Sequence, residues 1–247
     1  MENKEFDWKK KRIGYFSASC LGDLMTRGRG KGEDWGKTAI AYLYNIERQR
    51  WLQEPPREVH AAAMSFGLEQ EAYAVEWIRE NMETDCEVRH YETGFKEKPF
   101  ITVDWARYGV SPDVDLYDIK MEKIESLIEI KSVWGAVEIS QYFSPSRSYL
   151  KKRADAFNEH RDQLAGQLLA FPDINRIILL KYDGQTDSEF DIRDPLDLSR
   201  GVYFVFERSE FGAYLDELKE RIILADHYLN LGHEIELINE YYKPKTN

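Results

Sequence analysis

The sequence of 247 residues contains only two cysteines, Cys20 and Cys86. Two thiols are too few to ligate a zinc ion or an iron–sulfur cluster by themselves, and free intracellular thiols are favoured over a disulfide. No apolar run approaches the ~18 residues that a membrane span needs. The N-terminal stretch MENKEFDWKKKR is charged throughout and has no signal-peptide core. We therefore expect a cytoplasmic protein, and its 43% hydrophobic and 13% aromatic content is typical of a globular one.

Net positive charge is also missing. The formal net charge is −11 and the sequence pI is near 5.1, which argues against a generic basic nucleic-acid binder. The basic residues that are present concentrate in two segments, and each segment is compatible with a solvated face or with a phosphate-binding surface. They are Lys9, Lys10, Lys11, Arg12, Arg27, Arg29, Lys31 and Lys37 in the first, and Arg147, Lys151, Lys152, Arg153 and Arg161 in the second.

What the sequence does contain is a pair of apolar-alternating runs between Ser111 and Ser132, SPDVDLYD and LIEIKS, around a polar turn IKMEKIES. This pattern predicts two neighbouring strands. Glu129 and Lys131 then share one face, and pairing of the strands brings Asp113 to them. Adjacent carboxylates suit Mg²⁺, and a lysine beside them can activate water or stabilise a phosphoryl oxygen. The pattern indicates a metal-dependent phosphodiesterase, with an ordinary charged hairpin as the alternative.

These residues resemble the PD-(D/E)xK nuclease motif. The stretch from Trp8 to Ser19, WKKKRIGYFSAS, further resembles the opening of the phage lambda exonuclease (YqaJ-like) family. The resemblance implies that Arg12 and Ser19 line a pocket for a 5′-terminal phosphate. Trp8 is as well explained as a hydrophobic anchor. Arg29, in the glycine-rich and basic segment 26–36, is a candidate contact for the entering DNA strand, with a solvated mobile loop as the equal alternative.

Two further motifs carry the same resemblance. In a helix predicted over 58–82, Gly67-x-x-x-Glu71-x-x-Ala74 implies that Glu71 adds a carboxylate to the metal site, whereas Glu69 faces solvent. The pattern Gln163-Leu-Ala-Gly-Gln167-Leu168 implies that Gln163 positions the catalytic lysine or the scissile phosphate.

Around the hairpin, the Ser-Pro-Asp trio matches the family, which assigns Ser111 to the substrate and Asp113 to the metal. The backbone carbonyl of Ile130 is implied as another metal ligand. Asp115 is interpreted as a surface residue or an outer-shell carboxylate. His90 is interpreted as structural, and the role of His160 stays open.

Other segments complete the predicted fold. We expect helices over 37–52, 157–171 and 209–231 (with Ser209 as N-cap), strands over 86–103, 174–183 and 202–207, and an irregular connection over 133–156. The expected fold is α/β, a restriction-endonuclease-like (PD-(D/E)xK) core with a mixed β-sheet flanked by helices, in a single domain over 1–247.

The resemblance implies a Mg²⁺-dependent 5′-to-3′ exonuclease acting on double-stranded DNA in recombination, with Mn²⁺ as a substitute metal. It also implies a homo-oligomer, often a trimer, a single-strand annealing partner, and the host cytoplasm for a viral protein. Two alternatives remain open. One is a RecB-like or restriction-like nuclease without 5′-end specificity, and the other is a non-catalytic DNA-binding or assembly protein.

Overall fold

The computed structural model describes residues 9–30, 33–55, 62–91, 99–133, 135–184 and 193–242. Trp8, Lys31 and the predicted start of the helix at 58–61 lie outside these ranges. The strands are β1 (Phe16–Ser17), β2 (Glu87–His90), β3 (Ile101–Thr102), β4 (Tyr108–Val110), β5 (Val114–Asp118), β6 (Lys123–Val133), β7 (Arg176–Asp183) and β8 (Gly201–Glu207). The helices are α1 (Leu21–Leu24), α2 (Lys37–Leu52), α3 (Ala62–Asn81), α4 (Ala136–Phe143), α5 (Tyr149–Ala170), α6 (Arg208–Phe211), α7 (Ala213–Leu231) and α8 (Ile238–Tyr241).

The main sheet has the strand order β2-β5-β6-β7-β8. Its β6–β7 pair is parallel and its other pairs are antiparallel, so the sheet is mixed as expected. A smaller sheet of order β1-β4-β3 stands beside it. The predicted strands over 174–183 and 202–207 are confirmed as β7 and β8, and the segment 86–103 contributes β2 and β3. No helix in the described ranges combines the length and the apolar character that crossing a membrane requires.

Helices cover both faces of the main sheet, and alternation along β6 decides which side chains meet which helix. Ile128 and Ile130 pack in one buried cluster with Ala74 and Val75 of α3. Leu127 points the other way, into a larger cluster that includes residues of α5 and α7. From Ser126 onward, odd-numbered residues of β6 therefore face α5 and even-numbered ones face α3, whereas Ile124, before the register shift, packs in the larger cluster.

The β5–β6 hairpin forms as predicted, but its turn is shorter than the segment IKMEKIES. Strand β6 begins at Lys123, which pairs with Asp118, so only residues 119–122 connect the strands. The carboxylate Oδ1 of Asp118 accepts hydrogen bonds from the backbone amides of Lys120 (2.8 Å) and Met121 (3.0 Å), which stabilises the tight turn. Glu122 completes it in the left-handed region with φ 51°.

The prediction of an irregular connection over 133–156 is wrong. This segment contains α4 and the first turns of α5, which begins at Tyr149 behind the N-cap Ser148. The Ser148 hydroxyl accepts from the amide of Lys151 at 3.3 Å. The early turns of α5 are docked on the edge strand β8, where Arg153 Nη2 donates to the carbonyl of Val205 at 2.8 Å. Helix α5 therefore begins eight residues before the start of the helix predicted over 157–171.

The helical cap predicted at Ser209 is also wrong. Glu207 caps α6 and forms a capping box with Glu210, in which each side chain accepts from the other residue's backbone amide. Gly212, with φ 47°, then separates α6 from α7. A single helix from Ser209 to Leu231 is therefore replaced by two helices with a sharp break.

Candidate active site

Asp113 lies directly before β5, where pairing with β6 ends at Val114 and Ile128. Beyond that point no strand among the described residues pairs with Ile130 on this side. The carboxylate Oδ2 of Asp113 accepts a hydrogen bond from the amide of Ile130 at 3.0 Å. The side chain of Asp113 thereby lies against the backbone of β6 beside Glu129, as the hairpin pattern predicted.

Glu129 is buried and is held from three directions. Gln163 Nε2 donates to its Oε1 at 2.5 Å, and Gln167 Nε2 donates to its Oε2. Lys131 Nζ lies 2.7 Å from Oε1. Because both oxygens of the carboxylate are contacted by these donors, the position and orientation of Glu129 are fixed. Gln163 thus contacts a predicted site residue directly, while Gln167 is a contact that sequence reasoning did not assign.

Lys131 connects this buried carboxylate to the surface, since 31% of its side chain is exposed. Its location two residues after Glu129 on β6 puts both side chains on the α5 face. The ammonium group therefore lies at the boundary between the buried carboxylates and solvent.

Glu71 lies on α3, which packs on the face of the sheet opposite to α5. Its Oε1 is 3.2 Å from His90 Nε2. His90 pairs with Val114 in the sheet, and Val114 packs in the α3 cluster. His90, interpreted from sequence as structural, therefore contacts a residue of the predicted site.

The described side chains do not form a complete metal cage. In these ranges no three His, Cys, Asp or Glu side chains are grouped so that they could hold a metal ion together. Mg²⁺ does not require such a group, because it is commonly bound through one or two carboxylates, waters and substrate phosphate. Asp113 and Glu129 supply oxygen donors of that kind.

Orphaned polar atoms surround the same carboxylates. Ser111 Oγ and Gln167 Oε1 are buried and find no hydrogen-bond partner among the described residues. Ser111 precedes Asp113 by two residues, and Gln167 is bonded to Glu129. Since a buried polar atom without a partner is costly, both oxygens suit a site that takes up water, a hydrated cation or phosphate. The donor set therefore fits Mg²⁺.

Arg12 lines a separate cavity of about 100 Å³, together with Tyr15, Ser17, Cys20 and Tyr42 among other residues. The guanidinium also lies 5.8 Å from the centre of the Phe100 ring. Ser19 does not line this cavity, although its hydroxyl is 3.4 Å from that of Ser17. Ser17 therefore lines the cavity together with Arg12, and the assignment of Ser19 to a phosphate pocket stays a prediction.

The glycine-rich segment that carries Arg29 is anchored. The amide of Gly28 donates to the carbonyl of Glu33 and the amide of Gly36 to the carbonyl of Thr26, both at 2.9 Å. The side chain of Arg29 is exposed. Both the DNA-contact and the solvated interpretation of Arg29 remain predictions.

The second basic segment is largely neutralised. Arg147 and Lys151 both bind the carboxylate of Asp155, with Lys151 Nζ at 2.9 Å. The remaining ion pairs in this segment are Arg153 with Glu210 and Arg161 with Asp162. The pairing of these four cations with carboxylates weakens the interpretation of this segment as a phosphate-binding surface.

Asp115 is neither a surface residue nor near solvent, because it is 0% exposed. Arg89 Nε donates to its Oδ1 at 2.7 Å and the Tyr91 hydroxyl donates to its Oδ2. Tyr91 also donates its amide to the carbonyl of Asp113 at 3.3 Å. The surface interpretation is wrong because the partners that enclose Asp115 lie 26 and 24 residues earlier in the chain and meet it only when the sheet forms.

A buried lysine beside the site was missed altogether. Lys181 on β7 is 1% exposed, and its Nζ is 3.3 Å from Glu159 Oε1. Tyr142 and His160 surround the same carboxylate. Burial lowers the pKa of Lys181 and that of His160. The three neighbours of Glu159 (His160, Tyr142 and Lys181) lower the pKa of its carboxyl group to about 2. An apolar strand pattern with one lysine gives no sequence indication of such a cluster.

A mixed sheet with helices on both faces and acidic residues at one end of its central hairpin is a restriction-endonuclease-like fold, the fold of phage-type exonucleases. Among solved structures, the alkaline exonuclease LHK-Exo from Laribacter hongkongensis matches with a TM-score of 0.59 and 22% identity, over 95% of this chain and 96% of that one. LHK-Exo in complex with dAMP matches over the same shares with a TM-score of 0.56 and 22% identity.

A phage related exonuclease from Haemophilus somnus 129PT matches with a TM-score of 0.56 and 14% identity, over 92% of this chain and 96% of that one. No protein-family model and no curated protein sequence matches the chain. At these identities the solved structures establish the fold, and the function of the site depends on the residues that this chain places there.

Proposed function

We propose that this protein is a metal-dependent deoxyribonuclease, and specifically a 5′-to-3′ exonuclease that degrades one strand of double-stranded DNA. The observation that carries the proposal is the buried pair Asp113 and Glu129 with Lys131 at its solvent side. Glu129 is fixed by Gln163, Gln167 and Lys131. The structural neighbours are exonucleases, one of them in complex with dAMP, which supports a DNA substrate.

In the proposed chemistry, Asp113, Glu129 and the carbonyl of Ile130 hold Mg²⁺, and Glu71 contributes if it leaves His90. A bound Mg²⁺ would lower the pKa of a coordinated water and neutralise charge on the scissile phosphate. Gln163 and Gln167 keep Glu129 oriented. Lys131 orients the attacking water or donates to a phosphoryl oxygen. Mn²⁺ is expected to replace Mg²⁺.

Recognition of the DNA end is assigned to the cavity beside Arg12. A guanidinium suits a terminal phosphate because it can donate two parallel hydrogen bonds. Ser19 and Ser111 are the hydroxyls proposed to contact phosphate, and Arg29 the proposed contact to the entering strand. The position of Ser17 in the wall of the cavity adds it to this set.

The decisive experiment follows strand-labelled linear duplex DNA carrying either a 5′-phosphate or a 5′-hydroxyl, with closed circular DNA in parallel. We expect Mg²⁺-dependent loss of one strand from the 5′-phosphate end, intact circles, and no degradation with EDTA. Arg12→Ala should reduce the preference for the 5′-phosphate. Cutting of closed circles would instead favour a RecB-like or restriction-like nuclease.

A matched pair of variants separates catalysis from binding. Lys131→Ala should lower kcat by roughly 100-fold or more, as expected for loss of a group that stabilises transition-state charge. Lys123→Ala removes an exposed lysine from the far end of the same strand and should leave kcat unchanged. Unchanged DNA degradation by Lys131→Ala, or an inert wild-type protein in both Mg²⁺ and Mn²⁺, would favour a non-catalytic DNA-binding or assembly protein.

Three wider properties belong to the proposal through the family resemblance alone. They are a homo-oligomer, expected as a trimer, a single-strand annealing partner, and a place in the cytoplasm of the host cell if the protein is viral. The mass of the purified protein in solution, measured by light scattering, tests the first of these.

A further inference from the structure

Lys181 is a buried charged group beside the candidate site, and the proposed chemistry does not use it. Burying an ammonium group is costly unless it is paired, so a lysine in the middle of a core strand needs a reason. Lys181 is the direct neighbour of Lys131 in the parallel β6–β7 pair. Neighbouring residues of adjacent strands point to the same face about 4.8 Å apart. Two lysines therefore stand side by side on the face that carries Glu129.

Glu159 on α5 pairs with Lys181. Its Oε1 is 3.3 Å from Lys181 Nζ, and its Oε2 accepts from the Tyr142 hydroxyl. Lys181 Nζ also lies 4.5 Å from the centre of the Tyr142 ring, a distance at which the ring face attracts a cation. Residues of α4, α5 and β7 thus meet at one ammonium group.

Glu159 belongs to a stripe on α5 that also contains Gln163 and Gln167. Residues four apart lie above one another on a helix, so the three side chains form one row facing the sheet. Gln163 and Gln167 bind Glu129 on β6, and Glu159 binds Lys181 on β7. This row of side chains therefore connects α5 to β7 through Glu159 and to β6 through Gln163 and Gln167.

We propose that the Lys181–Glu159 pair is a positioning device for the candidate active site. It fixes the rotation and height of α5 above the sheet, so that Gln163 meets Glu129. It also places a second positive charge beside Lys131, which directs the Lys131 ammonium group towards Glu129. Lys181 itself acts through these neighbours and contacts no substrate.

Two variants test this proposal, and its kinetic part rests on the proposed nuclease function. Lys181→Met keeps an unbranched apolar chain one atom shorter than lysine and removes the charge, and Glu159→Gln keeps its shape and removes the partner charge. Displacing Gln163 and Lys131 by about 1 Å should lower kcat roughly 10- to 100-fold. KM for linear duplex DNA should change by less than about twofold, because end binding lies elsewhere.

The control is Arg153→Met. Arg153 is on the same helix and pairs with Glu210 at 2.6 Å, but it reaches β8 rather than Glu129 or Lys131. It should lower the melting temperature without lowering kcat. If Lys181→Met and Glu159→Gln also keep the wild-type kcat, or lose it only in proportion to lost folded protein, the pair is merely structural and the proposal is wrong.

A crystal structure of Lys181→Met, or of Glu159→Gln should the former fail to fold, gives a readout that does not depend on activity. We expect the Gln163 Nε2–Glu129 Oε1 bond, 2.5 Å in the wild type, to be broken. Its retention, with Lys131 in place, would overturn the proposal. A wild-type protein without nuclease activity would refute the proposed function alone, and this structure would still decide the positioning role.

Discussion

Gly14 has a left-handed backbone conformation and lies close to the side chain of Arg50, so its substitution should destabilise the protein. Its φ of +73° lies in the left-handed region, which costs a residue with a side chain roughly 1–2 kcal/mol. A Cβ at this position would also lie 2.5 Å from Arg50 Cγ, well inside van der Waals contact. Arg50 has little freedom to move, because its Nε donates to the Gly14 carbonyl at 2.9 Å and its Nη2 binds Asp226 at 2.5 Å.

The expected magnitude of Gly14→Ala follows from these two contributions. Overpacking against a held side chain costs roughly 1–3 kcal/mol, and the backbone adds about 1–2 kcal/mol, so the loss of stability should total about 2–5 kcal/mol. Gly232→Ala is the matched control. Its φ is +68° and no heavy atom lies within 4 Å of the added Cβ, so only the backbone cost of about 1–2 kcal/mol applies.

Urea unfolding of both variants measures the difference. We expect Gly14→Ala to be less stable than Gly232→Ala by about 1–3 kcal/mol, which is the cost of overpacking. The slope of the unfolding free energy against urea concentration should be the same in both variants. Equal losses of stability in the two variants would show that Arg50 gives way freely, and the packing argument would be refuted. Because Tyr15 donates its amide to the carbonyl of Arg12 at 3.1 Å in the same turn, Gly14→Ala should also disturb the cavity beside Arg12.

Two further predictions concern buried charges. Asp115→Ala removes the shared partner of Arg89 and Tyr91 and should cost about 3 kcal/mol in urea unfolding, whereas a loss below about 0.5 kcal/mol would match a surface residue and contradict the buried arrangement. Glu159 has its pKa lowered from 4.5 to about 2 in the folded protein, so its contribution to stability is present above the unfolded pKa and disappears as the pH falls through this window. As the pH is lowered from about 4.5 to about 2, the urea midpoint of the wild type should therefore fall more steeply than the midpoint of Glu159→Gln. Parallel curves for the two proteins would show that His160, Tyr142 and Lys181 do not hold the carboxylate in its charged form.

Local patterns predicted the elements that carry the candidate site. Alternation along 111–132 predicted the hairpin, and the spacing of Glu129 and Lys131 placed them on one face. Spacing by four put Gln163 and Gln167 on one side of α5, where both bind Glu129. Each of these predictions depends only on the period of a strand or a helix, which is a property of the backbone.

Predictions that required distant partners failed. The burial of Asp115 depends on Arg89 and Tyr91 across the β2–β5 pair, and composition near Asp115 does not reveal it. The start of α5 was missed because its first turns pack on β8, which follows later in the chain. A charged residue in a strand pattern is equally consistent with solvent exposure and with a buried ion pair until its neighbours are known.

By itself, the amino-acid order determined the hairpin, the shared face of Glu129 and Lys131, and the helix α2 over Lys37–Leu52, because these follow from backbone periodicity over a few residues. The tertiary structure decided that Glu71 meets His90, that Asp115 is enclosed, and that Lys181 stands beside Lys131. The physical reason is that the free energy of a charged side chain is set by the groups packed around it, and the chain brings those groups together only when the sheet and its helices assemble.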